Sequence, residues 1–328
     1  MIDQSHSASP APSPQPPRGI AWRAYVRIAR PDNWVKNVFV LPGLIIAAFM
    51  VHRAGWALLE SGTMAVAATC LVASANYVIN EWLDAPFDRF HPTKKHRPAV
   101  AHGLDGRIVA LEYAVLVAAG LGLSLMINTE SMVTEAALAI MGLIYNVRPV
   151  RTKDVPYLDV LTESVNNAIR LLIGWFAVTA GFLPPASLVI GYWMGGAFLM
   201  GTKRFAEYRM IADPERAGLY RRSFRRYTET TLLGSSVFYA LMSAFFTGVF
   251  LVKYRVELLG FVPFVFGLFC YYLAIAFKED SAAQKPEKLY RERGLLAYVA
   301  FMVVLFIVLM AVRIPALSTL IDTELVRT

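Results

Sequence analysis

The chain has 328 residues, 56% of them apolar and only 17% charged, with a formal net charge of +8 and a mean hydropathy of +0.48. A soluble domain carries about 25% charged residues, so a soluble enzyme is excluded, and the long apolar runs predict a polytopic α-helical membrane protein. A porin-type barrel is excluded as well, because stretches such as 295–312 are apolar on every side rather than alternating.

Residues 1–21 are rich in Ser, Ala, Pro and Gln and adjoin no apolar core, which predicts a disordered tail rather than a signal peptide. A single transmembrane domain is expected over 22–316, with a short tail over 317–328. Nine spans are predicted within it, near 36–51, 62–80, 107–127, 131–147, 159–180, 184–202, 230–252, 257–277 and 295–313. The first is short and contains Pro42, which predicts a kink or a tilt. Cys70 and Cys270 fall inside apolar runs, which argues against a disulfide scaffold or a cysteine metal site.

With the N-terminus inside, 26 of the 32 Lys and Arg collect on one side of the membrane. They lie within 18–36, 89–107, 148–153, 203–226 and 278–293. The positive-inside rule assigns that side to the cytoplasm and the protein to the inner membrane. The net charge is then topology signal and attraction to anionic lipid, with no nucleic acid needed as a partner.

Three polar constellations interrupt the apolar pattern. At the end of the second span Asn76, Asn80, Asp84 and Asp88 repeat at i+4, so a continuous helix would carry them on one face. Pro86 opposes that continuity near its end. With Glu81, these oxygens at a membrane boundary suit Mg²⁺, which bridges carboxylates to substrate phosphates. The alternative is a solvated helix end whose acids pair with Arg89 and Lys94. Lys94, Lys95 and Arg97 in the following loop fit a metal-bound polyanion, whereas His91 and His96 read as ordinary polar loop residues.

The second constellation holds Tyr145, Arg148, Arg151 and Lys153 in a turn shaped by Pro149 and Pro156. Beyond it Asp159, Glu163, Asn166, Asn167 and Arg170 form a polar stripe within an apolar span. Such a stripe is a functional site by default, or else a packing network joining Glu163 to Arg170 or Asn167. The third places Lys203 and Arg204 where they can reach a phosphate at the interface, while the arginines after Tyr220 are expected to face solvent or lipid. The segment from Arg30 to Asn37, with Arg30 and Lys36, supplies a further cationic approach, and Trp34 within it is read as an interfacial anchor.

At these residues the chain resembles the UbiA-type superfamily of intramembrane polyprenyl transferases, from about Arg30 to the ninth span. The first motif of that family, Asn-Asp-x-x-Asp-x-x-x-Asp, reads here as Asn80, Glu81, Asp84 and Asp88, with Glu in place of Asp. Three segments resemble its decaprenyl-phosphate phosphoribosyltransferase branch. They are the Arg30-Pro31 entry with Trp34, Lys36 and Asn37, the Asp88-Arg89-x-His91-Pro92-x-Lys94-Lys95-x-Arg97-Pro98 loop, and Lys203-Arg204-Phe205-Ala206-Glu207. The resemblance implies an all-α bundle with a polar cavity facing the cytoplasm. It implies transfer of 5-phosphoribose from its 1-diphosphate to a polyprenyl phosphate of decaprenyl type, supplying lipid-linked ribose and arabinofuranose to cell-envelope glycoconjugates.

The same resemblance implies Mg²⁺ as cofactor, held by Asn80, Glu81, Asp84 and Asp88, with Asp84, Asp88, Lys153 and Asp159 as catalytic residues. Around the donor and acceptor phosphates it implies Lys36, Asn37, Lys94, Lys95, Arg97, Tyr145, Arg148, Arg151, Asn167, Arg170, Lys203 and Arg204. The expected partners are the two substrates and the membrane, and a homo-oligomer is compatible with the pattern. Asn166-Asn167 and the turn from Tyr145 to Lys153 also resemble prenyl-donor members. Transfer of an isoprenyl chain from its diphosphate to an aromatic or lipid acceptor therefore stands as the alternative. A transporter would show two similar halves with interrupted helices, and the sequence contains no such repeat. Glu81 leaves an inactive scaffold open.

Overall fold

The computed structural model describes residues 22–90, 94–278, 281–284 and 292–312, together with Ile314 and Leu317. The tail expected over 1–21, the tail over 317–328 apart from Leu317, and His91 lie outside the described residues. Among the described residues every regular element is helical. Helix α1 (Trp22–Ile28) leads through a 3-10 stretch, Pro31–Val40, into α2 (Leu41–Met50). Next come α3 (Trp56–Asp88), the short α4 (Pro98–His102), α5 (Gly106–Leu125), α6 (Thr129–Asn146) and α7 (Leu158–Phe176). The chain continues through α8 (Ala186–Ile211), the short α9 (Pro214–Tyr220), α10 (Glu229–Tyr254), α11 (Val262–Ala276) and α12 (Arg293–Ala311).

Local chemistry sets several of these boundaries. The Asn128 side chain accepts from the Ser131 N–H at 2.7 Å and starts α6, and Thr228 with Thr231 forms a capping box at the start of α10. Pro31 and Pro42 each remove a backbone donor, so the first apolar stretch is a jointed rod with a 3-10 middle. That agrees with the expected kink, although the helical structure begins well before residue 36. Pro86 does not end α3, which runs on to Asp88. Proline there falls in the last turn, where it removes one donor from a ladder that is already ending. Asn76, Asn80, Asp84 and Asp88 consequently do share a helix face.

Six helical stretches among the described residues are long and apolar enough to cross a membrane: 22–50, α3, α5, α10, 256–276 and α12. The chain is a multi-pass integral membrane protein. The count of nine spans does not follow from length and apolarity alone, because α6, α7 and α8 carry Glu135, Asp159, Glu163, Arg170, Lys203, Arg204 and Glu207. Most of these charged residues are buried. In contrast, α5 and α12 expose most of their apolar surface, as lipid-facing helices do.

The inward helices pack at short range through small residues. A Cβ on Gly174 would lie 2.0 Å from the Val40 carbonyl oxygen, and one on Gly43 would lie 1.9 Å from that of Leu171. This crossing presses the first rod onto α7 and brings Asn37 against Arg170, whose Nε donates to Asn37 Oδ1 at 3.0 Å. On the other side of α7, Trp193 of α8 donates through Nε1 to the Leu161 carbonyl at 3.0 Å and the Ser164 hydroxyl at 3.1 Å. Helix α7 is thereby fixed on two faces.

The crossing yields a contrast between two glycines. Gly174→Ala should lower the apparent melting temperature in detergent by about 2–6 °C, the effect of overpacking by one methyl. Gly122→Ala, where an added Cβ meets nothing within 4 Å, should leave it unchanged or raise it. Equal behaviour of the two variants would contradict the close crossing.

Candidate functional site

The polar faces of α3, α6, α7 and α8 converge on one cavity of about 520 Å³. Eleven Lys and Arg side chains and five Asp and Glu side chains line it. Charge in a bilayer is retained only where it is compensated, and here nearly every acid is held by a named cation.

Asp84 is the centre of this pairing. Its Oδ1 lies 2.5 Å from Lys153 Nζ and 2.9 Å from Arg151 Nη2. Both cations come from the turn between α6 and α7, where Arg151 and Tyr157 adopt left-handed φ values of 27° and 65°. Non-glycine residues rarely adopt that conformation, so the surrounding contacts must hold it. Arg151 also donates to the Asn146 carbonyl at 2.9 Å and pairs with Asp154 at 3.3 Å. Lys153 donates to Asn146 Oδ1 at 2.7 Å. Burial and the neighbouring Arg151 push the Lys153 ammonium down to about 8, against the pull of Asp84.

The other acids have partners of their own. Asp88 accepts from Arg97 Nη1 at 2.5 Å. Glu163 accepts from the Tyr145 hydroxyl at 2.8 Å and pairs closely with Arg204. Glu207 accepts from Lys94 at 2.9 Å and from Arg204 at 3.3 Å. Asp159 is fully buried and accepts from Ser223 at 3.0 Å and Tyr227 at 2.8 Å. Arg204 and Arg221 both stand 3.6 Å from it.

Of the residues singled out in the sequence, Asn80, Glu81, Asp84, Asp88, Lys36, Lys94, Arg97, Tyr145, Arg151, Lys153, Asn167, Arg170, Lys203 and Arg204 line the cavity. Asn37 and Asp159 do not line it but lie directly behind its wall, supporting Arg170 in one case and Arg204 and Arg221 in the other. Lys95 and Arg148 are exposed and outside it. Each sits beside a residue that turns inward, Lys94 and Tyr145 respectively, and a one-residue or three-residue offset changes the face. The packing network from Glu163 to Arg170 or Asn167 is replaced by the contacts to Tyr145 and Arg204.

The expectation that the arginines after Tyr220 face solvent or lipid needs correction at Arg221. Arg222, Arg225 and Arg226 are exposed, but Arg221 turns inward and, with Arg222, lines the cavity. The short α9 and the 3-10 turn after it, Arg222–Arg226, fold this segment back over α3 and α8. Arg222 lies over the Phe87 ring at 5.6 Å and within 3.7 Å of Asp154. The i,i+1 run of basic residues carried no periodicity that would separate inward from outward positions. Arg30, part of the cationic approach expected before α2, lines the cavity as well, whereas Asn146 and Tyr220, which also line it, are not marked by the sequence as binding residues.

For a metal, the relevant oxygens are those of Asn80, Asp84 and Asp88, which follow one another at i+4 on α3. No group of three or more His, Cys, Asp or Glu among the described residues is arranged as a closed metal cage. Mg²⁺ seldom uses such a cage. It takes one or two carboxylates and completes its octahedron with water and substrate phosphate, so this hard-oxygen set fits. Glu81 fits less well. It lines the cavity, yet its carboxylate is 3.4 Å from Arg30 Nε and accepts from the Ala99 N–H at 3.4 Å.

Residues 39–302 match the UbiA prenyltransferase family. The chain is 29% identical over 222 residues to a decaprenyl-phosphate phosphoribosyltransferase of Corynebacterium glutamicum, covering 66% of this chain and 64% of that protein. To the decaprenyl-phosphate phosphoribosyltransferase of Mycobacterium tuberculosis it is 30% identical over 225 residues, covering 66% of this chain and 70% of the relative. A UbiA homologue from Archaeoglobus fulgidus solved with GPP and Mg²⁺ shares the fold with a TM-score of 0.65. Its identity is 18%, over 88% of this chain and 100% of that one.

The depressed ammonium of Lys153 gives a pH signature. Its charge is present below about 8 and lost above it, so wild-type affinity for pyrophosphate, relative to Lys153→Arg, should fall about tenfold between pH 7 and 9. Taking the ratio cancels the titration of pyrophosphate itself. Isothermal titration in detergent checks it, and a flat ratio would mean that Lys153 does not meet the anion.

Proposed function

The chain belongs to the UbiA prenyltransferase family, and on that footing we propose that it transfers 5-phosphoribose from 5-phosphoribosyl 1-diphosphate to a polyprenyl phosphate, releasing diphosphate. The observation that carries this reading is the excess of cations in the cavity, eleven against five acids. A phosphate monoester carries about −1.5 to −2 at pH 7. The sugar donor and the lipid acceptor together bring a diphosphate and two monoesters, whereas an isoprenyl donor brings the diphosphate alone. The names of the corynebacterial and mycobacterial relatives support the same assignment.

In the proposed reaction the bond between C1 of the ribose and the diphosphate oxygen breaks, and the electron pair leaves with the diphosphate. An oxygen of the lipid phosphate forms the new bond to C1. That oxygen is already anionic, so no general base is required of the protein. Asn80, Asp84 and Asp88 would hold Mg²⁺, which supplies neutralisation of charge on the leaving group. Lys153 and Arg151 would bind the diphosphate and stabilise its developing charge. Arg97 and Lys94 approach from the loop after α3. Lys36, Lys203, Arg204 and Arg221 remain for the two monoester phosphates, and Asp159 acts from behind by holding Arg204 and Arg221 in place. Positioning and fixed charge carry most of the rate in such a site. The positive-inside rule supports a cavity mouth on the cytoplasmic side of the inner membrane, and the product would serve cell-envelope arabinan precursors.

The test uses purified protein with Mg²⁺, decaprenyl phosphate and radiolabelled 5-phosphoribosyl 1-diphosphate, following label into the organic phase. Label transfer that requires metal and falls at least about 100-fold in Asp84→Asn is the expected result. Absence of label, with turnover of geranyl diphosphate and an aromatic acceptor instead, would overturn the sugar donor in favour of prenyl transfer.

A further inference from the structure

Of the eleven Lys and Arg side chains that line the cavity among the described residues, Arg222 alone is exposed, with 46% of its side chain accessible. A guanidinium is not left open to hydrocarbon, so this exposure marks the polar mouth of the cavity, where a water-soluble ligand arrives. Two contacts hold the residue there. Its Nη1 stands 3.7 Å from Asp154 Oδ2, and its guanidinium lies over the Phe87 ring at 5.6 Å. Among the described residues its side chain makes no hydrogen bond.

Neither contact uses the residue up. A nitrogen-to-oxygen separation of 3.7 Å is longer than a hydrogen bond, and the same Asp154 oxygen is nearer to Arg151 Nε, at 3.3 Å. One carboxylate shared by two guanidinium groups leaves a net positive charge at the mouth. The ring steadies the Arg222 guanidinium by electrostatic attraction without accepting a proton as an oxygen would. A planar fork of N–H donors that is held, accessible and unspent is the condition for recognising a phosphate through paired hydrogen bonds.

We infer that Arg222, with the half-buried Arg221 beside it, takes the 5-phosphate of the sugar donor and so distinguishes that donor from an isoprenyl diphosphate, which has no second phosphate to offer. This rests on the proposed sugar donor and goes beyond it by dividing the two monoester phosphates. The apolar part of the lining belongs to Val35 and Val38 before α2, Leu199 and Met200 of α8, and Leu296 and Val299 of α12. Lys36 and Lys203 are the cations within or next to those segments, so a lipid phosphate whose chain rests on that wall meets them. Arg222 is bracketed instead by Phe87 of α3 and by Asp154 in the turn between α6 and α7. The diphosphate has its own cations in Lys153 and Arg151, which leaves the trailing phosphate of the soluble donor for the mouth.

The test compares ligands that differ in which phosphate they carry. For wild type, Arg222→Ala and Arg222→Lys, three constants are measured: the KM for 5-phosphoribosyl 1-diphosphate, the KM for decaprenyl phosphate and the inhibition constant of inorganic pyrophosphate. Melting temperature checks folding. Arg222→Ala should raise the donor KM about 10-fold or more and leave the other two constants within twofold. Arg222→Lys should fall between, since it keeps the charge but loses the fork. Equal weakening of pyrophosphate would place Arg222 with the diphosphate, a rise in the acceptor KM would place it with the lipid phosphate, and no change would make it a surface residue; each of these overturns the inference. Should Arg222→Ala not fold, Arg222→Gln decides in its place. Wild-type protein that does not turn over the sugar diphosphate would remove the parent reading and this inference together, whereas active wild type with an unmoved donor KM in Arg222→Ala removes only the inference.

Discussion

The pairing of Asp84 with Lys153 and Arg151 is the interaction on which the rest of the structure depends. A carboxylate at the end of a transmembrane helix and two cations in the connection between α6 and α7 could not lie at this depth separately, because each would bear an uncompensated desolvation penalty of several kcal/mol. Together they tie the end of α3 to the turn between α6 and α7. That turn in turn orients the start of α7, from which Asp159 and Glu163 face Arg204. Removing one member of such a network leaves its partner buried and unpaired, which is why the cavity behaves as a unit rather than as a collection of surface ion pairs.

Close backbone approach is what makes the network geometrically possible. In lipid, helices gain nothing by hiding apolar area from one another and associate through contact and hydrogen bonding. Gly43 and Gly174 allow the first rod and α7 to touch carbonyl to Cα, and Gly142 and Gly196 accommodate the carboxamides of Asn76 and Asn167. The same small residues that permit packing thus leave space for polar side chains on the inner faces. The large apolar residues are sent outward on α5, α10 and α12, where lipid covers them.

Much of this was legible in the sequence. The apolar runs gave the helices, and the i+4 spacing from Asn76 to Asp88 gave a shared face that the intact α3 preserves despite Pro86. Periodicity failed where the chain leaves regular helices. Nothing in the run from Tyr220 to Tyr227 distinguishes Arg221, whose guanidinium reaches Asp159, from Arg225, which faces outward; a short helix and a 3-10 turn decide it. Lys95 and Arg148 show the same limit in reverse, since matching a motif fixes the order of residues but not which of two neighbours turns inward. Glu207 was legible only as part of a motif. Its pairing with Lys94, 113 positions earlier, is a tertiary contact without a local signature.

The prior pairing of acids and cations bears on how a polyanion enters the site. Asp84 already has two cationic partners, so Lys153 and Arg151 can turn toward a diphosphate only if another positive charge replaces them at the carboxylate. A divalent cation arriving with the diphosphate meets that condition, whereas either alone does not: the anion would leave Asp84 buried and unpaired, and the cation would compete with two ammonium and guanidinium groups at close range. In the proposed reaction metal and diphosphate would therefore bind together, each compensating the charge the other displaces. The cost of taking these groups out of water is met when the chain folds, and binding exchanges partners without burying new, uncompensated charge. In a membrane cavity, where an unpaired charge is far more costly than in water, that exchange is the physical reason for such a site to carry acids and bases in excess of what any one ligand requires.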